Sequence, residues 1–307
     1  MIQTIRKAWN IPELRKKIVF TLLILLIYRI GNAIPVPYVD VGALSEYLNS
    51  MKTTVLGLYN VMSGGAFADA TVFALSIQPY INASIIIQLL TVAIPALERM
   101  AREEGEEGRK KIASITRYTT VGIGLIQGFA YYMLMRNQYN ILTNDSIAAA
   151  FVIIVTFVAG SAFIMWLGEQ ITEFGIGNGI SIILFASIIS RIPAGIGTMY
   201  SNREVLGVPG IVGILVGLLA LIVLITHVYN AERRIPVQYA KRQVGRKMYG
   251  GQSTTLPVKV NMSGVLPIIF AQSIAMLPAT IAAFLPAPQE GSFWYGFIQA
   301  IDTKSVL

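Results

Sequence analysis

The sequence has no cysteine, a single histidine and little charge. Without cysteine there is no disulfide and no thiolate metal site. His227 stands alone, with no nearby aspartate, and does not read as a metal ligand. Asp, Glu, Lys and Arg make up 13% of the 307 residues, against about 25% in soluble domains. Low-complexity tracts and short-period repeats are missing. No Ser and Asp arrangement suggests an intramembrane protease. The basic N-terminus is not followed by a short apolar run with a small-residue cleavage site, so the first apolar run is expected to be a retained span rather than a signal peptide. Apart from Arg29 and amides such as Asn82 and Gln88, the centres of the apolar runs hold no ionisable group. Ion-coupled pumps and transporters usually need some.

What is present is apolar sequence: 54% of residues are hydrophobic and the mean hydropathy is +0.63. A span needs ~20 mostly apolar residues. The segments 18–34, 72–94, 114–135, 147–168, 180–198, 208–229 and 264–285 meet that length, which predicts an all-α polytopic membrane protein. The fifth is the least regular, because Arg191 and Pro193 fall in its outer portion. Basic residues alternate between connections. The N-terminal tail holds Arg6, Lys7, Arg15, Lys16 and Lys17, and 95–113 holds Arg99, Arg102, Arg109, Lys110 and Lys111. Segment 230–263 holds Arg233, Arg234, Lys241, Arg242, Arg246, Lys247 and Lys259, with no acid after Glu232. The opposite connections carry only Lys52, Arg136, Arg191 and Arg203. Positive residues stay inside, so the N-terminus is expected in the cytosol. Connection 230–263 is too long to be a mere link. Its basic run, with Tyr239 and Tyr249 interleaved, suggests a docking surface for something large. Gly245 and the Gly250–Gly251 pair permit a hairpin there, with Arg246 and Lys247 near its tip.

Two places break the simple pattern. Residues 55–68 are apolar but too short to cross, and read as a half helix ended by Gly64 and Gly65. Pro79 interrupts the second span, and a broken helix is tolerated only against protein or a water-filled cavity. Other features have plain readings. GIGNGI at 175–180 lacks a preceding strand and a P-loop lysine, and reads as a tight turn capping the fifth span. Glu169 and Glu173, one turn apart, read as solvated interface residues rather than a carboxylate pair. The segment 98–111 reads as a solvated helical hairpin tip, and Gly124–Gly128 and Gly213–Gly217 as close helix packing. Arg29 has two open readings, a functional intramembrane charge or a side chain snorkelling to the outer interface.

Four motifs in order, MSGGA at 62–66, QPYINASIIIQLL at 78–90, MWLGEQITEFGIGNGISI at 165–182 and YAKRQVGRKMYGGQSTTLPVKVNMSGVLP at 239–267, make the chain resemble the SecY family, central channel subunits of bacterial Sec translocons. That resemblance covers nearly the whole chain. It implies a protein-conducting channel of the bacterial cytoplasmic membrane, passing unfolded polypeptides across it and laterally into it, without covalent chemistry, cofactor or metal. It implies an outer plug helix made of Gly57, Leu58, Tyr59, Asn60, Val61, Met62, Ser63, Gly64, Gly65 and Ala66. An aliphatic constriction would consist of Ile77, Ile81, Ile180, Leu184 and Ile269. Docking of the SecA ATPase or a ribosome would fall to Arg233, Arg234, Lys241, Arg242, Arg246 and Lys247. Further implied partners are SecE and SecG-type small membrane subunits, a signal sequence or unfolded polypeptide as cargo, and anionic lipid, with no nucleic-acid sequence recognition. The family's channel has ten spans in two inverted halves. Residues 1–200 are expected to form the first half and 201–307 an incomplete second half, since the sequence stops at Leu307 where an eighth span should begin. The rival reading is a secondary transporter with inverted repeats and a broken midplane helix, which would need a polar site at the span centres.

Overall fold

The computed structural model describes residues 9–50, 55–137, 141–237, 242–244, 247–249 and 254–261. The chain divides into two compact units, residues 1–193 with 273–307, and residues 194–272.

The first unit starts with α1 (Pro12–Gly31), which has proline and Glu13 in its first turn and Arg29 in its last. Both charges oppose the helix dipole. Thr21, Ile24, Tyr28 and Gly31, spaced three or four apart, form its buried stripe. Then come α2 (Val41–Ser50), α3 (Val55–Met62), α4 (Gln78–Ala93) and α5 (Pro95–Arg102). α4 and α5 bend by 101° at Ile94, which precedes Pro95 and is extended. α6 (Gly105–Arg136) and α7 (Ile147–Phe174) follow, and Ser146 caps α7 by accepting from Ala149 N–H at 3.1 Å. α8 (Gly179–Ile189) and α9 (Ile192–Ser201) are separated by Ser190 and Arg191, and all of α9 after Pro193 belongs to the second unit. Asn178 caps α8, accepting from the Ile180 and Ser181 N–H groups at 3.0 and 3.2 Å.

The ends of these helices are tied at both sides of the bundle. At one side Val36 N–H donates to the Ala70 carbonyl (2.9 Å), Asp40 N–H to Ile141 (2.8 Å) and Thr143 N–H to Tyr38 (3.0 Å). Beneath them lies a core that includes Leu44, Leu48, Phe67, Leu75, Tyr131, Met135, Ile153 and Phe157. At the other side Arg117 of α6 reaches Glu169 of α7 (2.8 Å), and Thr21 accepts from Ile176 N–H (3.3 Å). In the second unit α10 (Arg203–Asn230) is broken at Gly207 (φ 65°), beside Pro209, and runs on to β1 (Glu232–Val237), β2 (Arg242–Val244), β3 (Lys247–Tyr249) and β4 (Thr254–Lys259). β1 pairs antiparallel with β4, and β2 with β3, in register Val244↔Lys247.

Several expectations change. The second span is not a helix interrupted at Pro79. Residues 71–77 are irregular and mostly buried, and Pro79 stands in the first turn of α4, where its missing N–H costs nothing. The short outer helix covers Val55–Met62 rather than 57–66, because Gly64 and Gly65 take φ of 67° and 97° and end it. The fifth span is broken, as Pro193 cannot donate back across Ser190 and Arg191. The tip 98–111 is helical as expected, and is split between α5 and α6. By length and apolar content Ile147–Phe174, Gly179–Ser201 and Gly207–Asn230 are able to cross a membrane, and the bent α4–α5 pair is a fourth candidate. α1 is 20 residues and α6 is 32 residues long, but α1 carries Arg15, Lys16, Lys17 and Arg29, and α6 carries polar residues through its length. The span expected at 264–285 lies outside the described residues.

Glycine decides one close contact. A Cβ on Gly160 of α7 would run into the Val72 carbonyl of the irregular segment, whereas one on Gly122 of α6 would meet nothing within 4 Å among the described residues. Gly160→Ala is therefore expected to cost roughly 1–3 kcal/mol by overpacking. Scanning fluorimetry of the full-length protein in detergent should show its melting temperature lowered by several degrees, with Gly122→Ala unchanged or slightly raised.

Candidate functional site

The irregular segment between α3 and α4 assembles the site. Its hydrogen bonds come from side chains as well as backbone. Asn60 Oδ1 accepts from Ala68 N–H (3.0 Å), Ser63 Oγ accepts from Phe67 N–H (3.1 Å), and Tyr59 Oη donates to the Leu75 carbonyl (3.4 Å). Tyr131 Oη of α6 donates to the Phe67 carbonyl. The rings close over this point, with Phe67 stacked on Tyr131 at 4.3 Å and Tyr59 and Phe157 at 5.0 and 5.1 Å from their neighbours in the cluster. The segment is held firmly from Phe67 onward, while Gly64 and Gly65 join it to α3.

α3 and the glycines after it also reach α4 and α8. Gln78 Nε2, in the first turn of α4, donates to Met62 Sδ at 3.2 Å. Gly64 lies so close to the end of α8 that a Cβ there would be 2.8 Å from the Ser187 carbonyl oxygen. Ser187 itself bonds Tyr28 of α1, with 2.6 Å between hydroxyl oxygens. Of the aliphatic ring, Ile77 is fully buried as the residue capping α4, and Ile81 is buried one turn on, its N–H bonded to the Ile77 carbonyl at 3.1 Å. Ile180 and Leu184 lie on one face of α8 and are half-buried, while Ile183 between them faces inward and is fully buried. Ile269 lies outside the described residues. Of the short-helix residues, Tyr59, Asn60, Met62 and Gly64 are half-buried, Val61 is exposed, and Ser63, Gly65 and Ala66 are buried. Gly57 and Leu58 belong to α3 by backbone.

A cleft of about 530 Å³ opens on the opposite side of Ile180, lined by Tyr80, Arg117, Trp166, Glu169, Gln170, Thr172, Glu173 and Asn178. Here the plain reading of Glu169 was incomplete, because it is the partner of Arg117, 52 residues away. GIGNGI is the turn between α7 and α8, and a Cβ on Gly179 would strike the Gly168 carbonyl. On the neighbouring hairpin the Glu104 carboxylate accepts from Lys111 (2.8 Å) and raises its pKa. Arg29 is exposed near the end of α1 and makes no ion pair among the described residues, as a snorkelling side chain would.

Of the basic docking candidates, Arg233 and Arg234 lie exposed on β1, opposite Val258 and Pro257 of β4. Arg242 opens β2 and Lys247 opens β3, which places Lys247 beside the hairpin turn. Lys241 and Arg246 lie outside the described residues. Among the described residues no group of three or more His, Asp or Glu is arranged to hold a metal ion.

A family profile described as SecY matches residues 71–306. The chain is 40% identical over 318 residues to the protein translocase subunit SecY of Aquifex aeolicus (strain VF5), covering 97% of this chain and 73% of that one. It is 44% identical over 280 residues to the protein translocase subunit SecY of Escherichia coli (strain K12), covering 90% and 63% respectively. Among solved structures it resembles one described as "The structure of a protein conducting channel", with TM-score 0.62 and 18% identity, over 88% of this chain and 58% of that one. A second, at TM-score 0.61 and 19% identity, covers 88% of this chain and 57% of that one, and concerns a plug domain of SecY that stabilises the closed state and maintains a membrane seal. A third is the channel of a canine ribosome–channel complex, at TM-score 0.60 and 18% identity. The motifs, the helical membrane fold and these likenesses agree: the chain belongs to the SecY family.

Proposed function

We propose that this chain supplies the N-terminal clamp, plug and first cytosolic docking hairpin of a channel that passes unfolded polypeptide across and into the cytoplasmic membrane, with its N-terminus in the cytosol. One observation carries the reading: a helix too short to span, α3, is seated against the first turn of α4 and the end of α8, beside the aliphatic residues Ile77 and Ile81. A helix in that place closes a passage. It is also joined to the fixed aromatic cluster through two glycines with positive φ, a linkage that permits it to swing away. The ring is completed in this reading by Ile180, Leu184 and Ile269, whose aliphatic side chains oppose wetting of a narrow pore. The small membrane subunits and a SecA-type motor or ribosome are the partners this architecture would take. The polar cleft opens at the Arg117–Glu169 end rather than beside Ile77 and Ile81, which gives the transporter alternative no support.

Deleting 57–66 from the full-length channel should raise ion leak in planar bilayers on the order of tenfold, because the residual ring alone must then hold water back. Unchanged conductance would remove the sealing role from α3.

The hairpin has its own test. Arg246→Glu with Lys247→Glu in the full-length protein should weaken binding of the cytosolic motor or ribosome by about tenfold or more, with insertion of the spans unaffected. Affinity measured on nanodiscs without anionic lipid separates protein docking from attraction to the membrane surface, worth ~1 kcal/mol per basic residue. Wild-type affinity there would take these two residues out of the docking surface.

A further inference from the structure

The arginine at the break in the fifth span has no role in the reading so far. Arg191 is half-buried between α8 and α9, and among the described residues its guanidinium makes no ion pair. Its Nη2 instead donates to Asn60 Oδ1 of α3 at 3.4 Å, across 131 residues of sequence. The same guanidinium covers Gly65, so closely that a Cβ there would strike it. Next to it, Ser190 Oγ donates to the Ser187 carbonyl (2.6 Å), and this turn faces Gly64. An arginine in an otherwise apolar span is costly to keep unless it is satisfied. Here the break caused by Pro193 lets it turn inward rather than reach for solvent.

Asn60 is the receiving point. Its side-chain oxygen also accepts from Ala68 N–H (3.0 Å), and its carbonyl accepts from Gly65 N–H (2.9 Å) and Ser63 Oγ (3.0 Å). One residue therefore fastens the last turn of α3 to the glycine linkage, and Arg191 binds that residue and covers the linkage at once. We propose that Arg191 is a positioning residue that latches the short outer helix shut, by a charge-assisted hydrogen bond to Asn60 that is lost whenever α3 moves. The proposal rests on the channel reading. In it, one of the contacts that hold α3 is an ionic donor facing a neutral acceptor, weak enough to break in each cycle.

The absence of cysteine makes a direct test practicable. Ser63 is fully buried, so in a Ser63→Cys background a membrane-impermeant maleimide applied from the outer face reacts only when α3 has moved. In the full-length channel with its partner subunits, Arg191→Gln should speed labelling roughly tenfold, the loss of one charge-assisted bond. Asn60→Asp keeps the acceptor for Ala68 and turns the latch into an ion pair, so it should slow labelling below the parent rate. On the Arg191→Gln background the same Asn60→Asp should instead speed labelling further, because the carboxylate is left without its cation. A merely structural role for Arg191 does not produce that reversal of sign. Additive effects of the two substitutions, or parent labelling rates in all three variants, would overturn the latch. The leak measurement on the 57–66 deletion stands apart: leak there with parent labelling rates in the variants rejects the latch alone, and no leak rejects the sealing role of α3 on which it rests.

Discussion

Buried backbone that is neither helix nor strand must find every hydrogen bond within the protein, and residues 63–77 are subject to that constraint more than any other described part of the chain. Their carbonyls and N–H groups are met by Tyr59, Asn60, Ser63 and Tyr131 side chains and by the backbone of Ile34 and Val36. The partners come from α3, α6 and the end of α1, so the irregular segment fixes where those helices stand. Its own conformation is demanding: Ala70 and Ser76 take φ of 42° and 51° without being glycine. Such residues persist only where the surroundings determine them. Here the aromatic stack of Phe67, Tyr131 and Phe157 and the close approach of Gly160 to Val72 supply that surrounding.

The contrast between the two ends of this segment gives the proposed gate its shape. From Phe67 onward each turn is covered by aromatic rings and packed helix. Before it, α3 is held by one ring, Tyr59 against Phe67, and by single polar contacts, Tyr59 to Leu75, Ala68 to Asn60, Gln78 to Met62 and Arg191 to Asn60, each worth little on its own. In the proposed channel the difference puts the mobile part on one side of Gly64 and Gly65 and the fixed part on the other. A cluster of comparable size around α3 would leave no helix free to move.

Much of this was legible in the sequence where the cause was local. The apolar runs, the Gly64–Gly65 stop and the hairpin around Gly245 depend on neighbours in the chain, and the antiparallel register Val244↔Lys247 agrees with the hairpin expected there. The segment before Pro79 was misread because an apolar composition looks the same in a helix and in a buried irregular stretch. Proline then appears to break a helix that in fact begins beside it. Pairings across long separations left no trace. Glu169 carried no sign of Arg117, and Arg191 registered only as an irregularity in the fifth span, not as the donor to Asn60. The short helix α2 was not anticipated either, since its ten residues are too few and too mixed to stand out.

The ties between α6 and α7 limit how any passage beside them could widen. At one end Tyr131 and Phe157 lie 5.1 Å apart within the buried core. One turn along, Gly128 packs on Ile154, where a Cβ would be in ordinary contact 3.6 Å from the Ile154 carbonyl oxygen. At the other end Arg117 meets Glu169, but both are partly exposed, and a surface ion pair contributes only ~0–1 kcal/mol. The aromatic and glycine contacts therefore hold the pair, and the ion pair adds register more than strength. Separating α6 from α7 would open buried core along its length, whereas withdrawing α3 takes one ring, Tyr59, off Phe67, breaks a few polar contacts and bends two glycines. On that comparison the proposed channel opens first by displacement of the short helix, with α6 and α7 serving as the fixed wall it leaves.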